Sequence, residues 1–359
     1  MFANVQALRA LAAIAVLLHH LQAQMNVHLG TPHLGYLGRA GVDVFFAISG
    51  FIMFHTTRDG GRTIGQFWRD RILRIVPLYW AAMGVMLALL AFGLHPLGIA
   101  AVSADDVLAH ALFIPDVRLD GDPYPIVDVG WTLNYEMYFY VLFGLTFLLP
   151  SQAWALATLT AFFLAAWWIA VTVTGLPHAL KQWAQPITLE FVAGGALALL
   201  YRVRLPISRT VERVIGTIAI TGGAVSLVVA AGWMGWLANH DFAIRALGFG
   251  LPSVAIVGGA LLLERSGVVM RGRVLLLLGA ASYAIYLVHH IIVQFGAELA
   301  ELIDPHPGFV VIALDATLIS FVAIGAGIAV HVWIEKPVTQ GLKRYLMARR
   351  SKAELSGFG

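Results

Sequence analysis

Apolar stretches of about twenty residues recur along the chain, each broken by a short polar segment. An α-helix crosses the hydrocarbon core of a bilayer in ~20 residues, so runs of this length read as membrane helices. Ten are present, roughly at 6–24, 40–57, 76–94, 131–150, 152–174, 184–201, 211–232, 243–263, 274–296 and 308–334. They predict an all-α, polytopic integral membrane bundle of about ten transmembrane helices. The first run lacks a small-residue cleavage site and continues into polar sequence. It is therefore expected to stay as the first span and not to leave as a signal peptide. The longest break, 95–130, is rich in Pro, Gly and Asp and predicts irregular structure. No internal repeat is evident.

Charge gives the alternation a direction. Between the second and third runs lie Arg58, Arg62, Arg69, Arg71 and Arg74; between the sixth and seventh, Arg202, Arg204, Arg209 and Arg213. Arg265, Arg271 and Arg273 separate the eighth and ninth, and Lys336, Lys343, Arg344, Arg349, Arg350 and Lys352 follow the tenth. With Arg9 these are nineteen of the 23 basic residues. All fall on one side if both termini are cytoplasmic, as basic loops prefer. The opposite loops are acidic: Asp105, Asp106, Asp116, Asp120, Asp122 and Asp128, then Glu298, Glu301 and Asp304. Two units follow: a transmembrane domain over 1–337 and a basic cytoplasmic tail over 338–359, expected as a short amphipathic helix on the inner face. With 59% hydrophobic residues, 12% charged and a mean hydropathy of +0.81, the chain is no soluble domain on one anchor, since soluble proteins carry about 25% charged residues. The expected location is the bacterial inner membrane. The absence of cysteine rules out disulfides, thiolate metal sites and a cysteine nucleophile.

Once sidedness is set, each intramembrane polar residue acquires a depth. Arg9 and His20 share the first run, eleven positions apart, which is about three helical turns or ~16 Å of rise on one face. Ionisable groups inside a span suggest function by default, although Arg9 snorkelling to a surface and His20 as a packing residue is the plainer alternative. Glu136, Asp43, Tyr283, Tyr286, His289, His290, Glu190 and Asp315 fall in the outer halves of their runs, whereas Arg9, Arg69, Arg71 and Arg74 fall at the inner face near Glu335. Inner arginines suit phosphate groups, which take forked guanidinium contacts; ordinary positive-inside charge explains Arg58 and Arg62. Arg71 and Arg74 differ, because their spacing puts both on one helical face. The outer group suits proton transfer, since imidazole titrates near neutrality, with Glu136 placed to orient a His20 ring. Asp43 and Glu190 have the alternative of capping or pairing within the bundle. Adjacent His289 and His290 straddle two faces, so at most one is expected at a site. Trp167 and Trp168 read as a lipid-facing belt or core.

These residues fall into motifs: Arg9-x10-His20, GVDVFFAISGFIM at 41–53, FWRDRILRIVPLYW at 67–80, WTLNYEMYFY at 131–140, SYAIYLVHH at 282–290 and IEKP at 334–337. In this order, over nearly the whole chain, the sequence resembles the membrane-bound acyltransferase-3 family of polysaccharide O-acyltransferases. NVQALRALAA and WTLNYEMYFY look most like the exopolysaccharide-decorating branch. The resemblance implies a cytoplasmic acyl-coenzyme A co-substrate, usually acetyl-CoA, and a hydroxyl acceptor on a polysaccharide or lipid-linked oligosaccharide. It implies His20 as the essential histidine with Arg9 its partner, Arg71 and Arg74 on the donor side, and Glu136 as the acid of its motif. Asp43, Ser49, Tyr283 and His289 are then supporting or acceptor-side residues. Asn134 and Tyr135 stand where many relatives have small or acidic residues. Members with an appended soluble hydrolase-like domain exist, and none is expected on this chain. No metal and no nucleic-acid partner are expected; membrane lipids are. Direct transfer with His20 as general base is favoured over an acyl relay through histidine, Ser49 or Ser282. A transporter of a small anionic or lipid-linked substrate is the rival reading, but the paired half-helices of transporters are not evident.

Overall fold

A computed structural model describes residues 2–30, 36–57, 63–203 and 206–356, without the side chains of 234–240 and 347–356. Arg58, Arg62 and Arg204, and the side chains of Arg349, Arg350 and Lys352, lie outside the described residues. The described residues form helices, turns and loops without a strand. In chain order the α-helices are α1 (Ala3–Leu29), α2 (Ala40–Thr56), α3 (Ile64–Ala91), α4 (Ala104–Ala111), α5 (Trp131–Leu145), α6 (Gln152–Thr172), α7 (His178–Trp183), α8 (Leu189–Arg202), α9 (Arg209–His240), α10 (Phe242–Arg245), α11 (Leu251–Arg265), α12 (Arg273–Ala280), α13 (Ser282–Ile303), α14 (Phe309–Val330) and α15 (Lys336–Ser356).

Seven helical stretches are long and apolar enough to cross a membrane, and α12 with α13, bent by 73° at their junction, would be an eighth. The expectation of ten meets two short helices. α5 has 15 residues and α8 has 14, a rise of ~22 Å at most against a hydrocarbon core of ~30 Å. 3₁₀ turns lengthen them, Asp128–Gly130 and Thr146–Leu148 around α5 and Pro186–Thr188 before α8. Both contribute many buried residues to the bundle, where neighbouring helices satisfy backbone groups that lipid cannot.

α2 is central: 72% of its most apolar stretch is buried, against 11% for the helix formed by α14 and α15. Small residues let backbones touch around it. A Cβ on Gly50 would lie 1.9 Å from the Phe191 carbonyl oxygen of α8, and one on Gly194 would lie 2.0 Å from that of Ala47. The rim faces lipid through side chains such as Trp154 and Trp168 of α6 and Phe309 and Phe321 of α14.

Two π-helical turns, Ala246–Gly250 and His331–Glu335, each end two residues before a proline, Pro252 and Pro337. Proline removes one backbone donor and its ring pushes away the carbonyl four residues back, which accounts for the widened turn. The helix expected in the tail is continuous with α14. The helix runs through Pro337 from Phe309 to Ser356.

Candidate active site

Two polar sites flank the middle of the bundle. The first is a cavity of about 370 Å³ among α1, α2, α3, α5 and α13, with Arg9, Ser49, Arg71, Arg74, Glu136 and Tyr140 in its wall. A Thr63–Gln66 capping box starts α3, and the i, i+3 spacing of Arg71 and Arg74 then turns both guanidiniums inward. The Arg71 guanidinium lies 5.9 Å from the Tyr140 ring centroid, and its Nε is buried without a hydrogen-bond partner among the described residues. Glu136 and Tyr140 are one turn apart on α5. The Glu136 carboxylate accepts from Ser49 Oγ at 3.0 Å and from the Tyr140 hydroxyl. Arg9 stands in the field of Arg74 and Glu136. Three arginines thus share a cavity with one lining carboxylate, and the rest of the wall is largely apolar, including Phe2, Phe45, Phe46 and Ile52. That combination suits an anionic head joined to a less polar arm. Tyr283 lines the cavity and donates to the Ile75 carbonyl at 2.8 Å, tying α13 to α3.

The cavity ends at Thr132 and Tyr286, whose hydroxyls are 2.9 Å apart. Beyond Tyr286 lies the second site, a histidine cluster. The Tyr286 and His289 rings are 5.9 Å apart. His20 Nδ1 is 2.9 Å from His289 Nε2, and His289 Nδ1 is 3.1 Å from the Ile285 carbonyl oxygen. A carbonyl only accepts, so His289 carries its proton on Nδ1 and takes the His20 Nδ1 proton at Nε2. The bonding pattern thereby assigns His20 a free lone pair on Nε2, the form a general base needs. The His290 ring stacks on His20 with centroids 4.2 Å apart, and its Nδ1 is 2.9 Å from Asp128 Oδ2.

Several expected roles change with this geometry. Glu136 holds Ser49 and Tyr140 in the arginine cavity, and no hydrogen bond joins it to His20 among the described residues. The two shared a predicted depth, but Tyr286 and Thr132 intervene. Both His289 and His290 reach His20, because His20 sits over the wedge between their two faces. Asp43 is engaged elsewhere. The Arg245 guanidinium donates to both its oxygens, at 3.2 and 2.8 Å, in a fully buried pair. Glu190 packs beside this pair against Gly250. Sequence reasoning missed Arg245, Asp128 and Gln24 as partners; only the adjacency of Asp128 to the 131–140 motif, and of Gln24 to His20 one turn on, pointed their way. No metal was expected, yet His20, Asp128 and His290 each bring one ligand atom within 4.8 Å of the others, a grouping able to hold an ion.

The family described as "Acyltransferase domain" matches residues 2–332. The exopolysaccharide production protein ExoZ of Rhizobium meliloti is 33% identical over 332 residues, covering 91% of this chain and 96% of ExoZ. The acyltransferase MdmB of Streptomyces mycarofaciens is 28% identical, covering 94% of this chain and 91% of MdmB. The peptidoglycan O-acetyltransferase OatA of Listeria monocytogenes is 23% identical, covering 88% of this chain and 53% of OatA. No solved structure matches. With apolar helices throughout and a family match over almost its whole length, the chain belongs to the membrane-bound acyltransferase-3 family.

Proposed function

We propose that this protein moves an acetyl group from cytoplasmic acetyl-CoA to a sugar hydroxyl of a surface or exopolysaccharide, with the acceptor outside or lipid-linked. The reading takes the chain as ten-spanning in the bacterial inner membrane, with both termini cytoplasmic and the short helices α5 and α8 counted as spans. One observation carries it: α1 holds Arg9 in an anion-suited cavity and His20 in a basic cluster nearer its other end. A donor with a phosphorylated head and a long arm would thus be gripped at one end of the helix and spent at the other.

Arg9, Arg71 and Arg74 would hold the donor phosphates, and the thioester would pass Tyr286 towards His20. His20 Nε2 takes the proton of the acceptor hydroxyl as its oxygen bonds to the thioester carbonyl carbon. Collapse of the tetrahedral intermediate breaks the carbon–sulfur bond. The imidazolium returns its proton to the departing thiolate, leaving coenzyme A and an ester. His289 keeps His20 in the required tautomer. Glu136, held by Ser49 and Tyr140, balances the arginines and sets the cavity's shape. The purified protein should release coenzyme A from acetyl-CoA and transfer the radiolabelled acetyl group to oligosaccharide. Absence of both would refute the reading.

A further inference from the structure

A second, outer cleft of about 430 Å³ has so far had no role. Its volume lies within the ~300–1,000 Å³ range of small-molecule sites. Gln24 and His28 of α1 form one wall, Gln294 and Glu298 of α13 the other, and Asp128 and His290 join it to the histidine cluster. The His290 ring is the one stacked on His20, so a molecule in the cleft lies against the catalytic cluster from the side away from the arginines.

The walls are built and not left over. Gln294 is buried; its carbonyl oxygen accepts the Leu97 backbone N–H at 2.5 Å and its amide donates to Glu298 at 2.6 Å. Leu97 is held there with φ at 55°, a left-handed conformation rare for a branched side chain. Arg118 is also buried and holds Asp120 and Asp122 beneath the same loop at 3.1 Å each. The Gln24 amide, 3.5 Å from His290 Nε2, keeps a carbonyl acceptor beside a donor. Amide, carboxylate and imidazole groups alternate donors and acceptors at close range, as neighbouring sugar hydroxyls require.

Charge narrows the ligand. The cleft lining sets three acids, Asp122, Asp128 and Glu298, against one permanent cation, Arg118, and Asp120 and Glu301 add two more carboxylates as partners of Arg118 and His28. The excess is negative, the reverse of the inner cavity. A carboxylate, phosphate or anionic lipid headgroup is disfavoured there.

We infer that this outer cleft is the acceptor subsite and that it selects an uncharged pyranose over an anionic sugar. The inference rests on the acetyl-transfer reading, and the two fail separately: coenzyme A release by the wild type tests the reading, while sugar binding tests the cleft. Saturation-transfer NMR on the full chain in nanodiscs, with methyl β-glucopyranoside and methyl β-glucuronide as probes, supplies the second test. The glucoside should give signal, with the glucuronide weaker by about tenfold, the scale of one unfavourable charge pair about 12 Å apart at an effective dielectric of about 20. Gln24→Trp, which fills the cleft, should abolish the glucoside signal. Glu298→Lys should raise glucuronide binding relative to glucoside. Should Gln24→Trp fail to fold, the Glu298→Lys ratio still decides. No glucoside signal in the wild type, an unchanged signal in folded Gln24→Trp, or an unchanged ratio in Glu298→Lys would overturn the assignment.

Discussion

The arginine cavity and the histidine-side cleft share two helices, α1 and α13, and have opposite chemistry. In the first, three arginines share a wall with one carboxylate and several aromatic rings. In the second, carboxylates outnumber permanent cations and two glutamines line the walls. Such a difference is hard to reconcile with one ligand moving through a uniform channel. It fits two ligands of unlike charge meeting at the histidines between them. The lesson is that in a membrane enzyme the pairing of polar groups, more than their depth, separates one substrate's site from the other's.

The largest break in this comparison should come at its boundary. His20→Ala should lower turnover by ~10²–10⁴-fold, the worth of a positioned general base, while isothermal titration still shows donor binding. His19→Ala should stay active. Next come the arginines. Arg71→Ala and Arg74→Ala should each weaken donor binding by about 10–100-fold, as for a lost hydrogen bond to a charged group. Lysine at either position should rescue in part, lacking the forked geometry; sugar binding should not change, which sharpens the contrast between the two sites. His289→Ala should lower kcat by roughly tenfold, about one ~1.4 kcal/mol hydrogen bond. His289→Gln should recover part of it, because the amide oxygen can still accept from His20. An unchanged acetyl-CoA KM in both would mark His289 as a positioning residue.

Two smaller effects concern the scaffold of the two sites. Gly50→Ala would force a Cβ against the Phe191 backbone. Overpacking of this kind costs about 1–3 kcal/mol, so a lowered Tm should accompany equal losses at both sites. In the loop between α4 and α5, burial raises the pKa of Asp120. Hydrogen bonds from Arg118 and from the backbone of Asp122 and Ala100 outweigh it and hold the carboxyl down to about 2. A depressed carboxylate stabilises fully above its unfolded value of ~3.9 and loses that contribution as pH falls through the folded value. Amide exchange around residues 99–122 should therefore be insensitive to Asp120 titration between pH 5 and 8. It should rise below about pH 4, and in Asp120→Asn already at pH 7.

Much of this was legible in the chain, and the exceptions have physical causes. Apolar runs located each long helix up to α14 but not α4, which lies in the stretch 95–130 expected to be irregular, nor the short α7, and an apolar run does not say where a helix stops. The run at 131–150 ends its α-helix at Leu145 with a 3₁₀ turn before Pro150, and that at 184–201 begins its helix only after Pro186. The bend between Ala280 and Ser282 falls inside one apolar run, marked only by Gly279 and Ser282. Arg71 and Arg74 were readable because one helix face brings them together. Arg245 with Asp43, and Asp128 with His290, are separated by 202 and 162 positions, and helical periodicity carries no information over such distances. For Glu136, shared depth and the motif match suggested His20 as its partner; the intervening Tyr286 could be seen only in three dimensions.

The central claim is that donor and acceptor reach His20 from opposite faces of the membrane. Sealed inverted vesicles carrying the protein, with the neutral sugar trapped inside, test it most directly, because acetyl-CoA does not cross lipid. Acetyl-CoA added only outside should yield acetylated sugar inside, and His20→Ala vesicles should yield ~10²–10⁴-fold less. Product that forms only when both substrates are supplied on the same side would contradict the account.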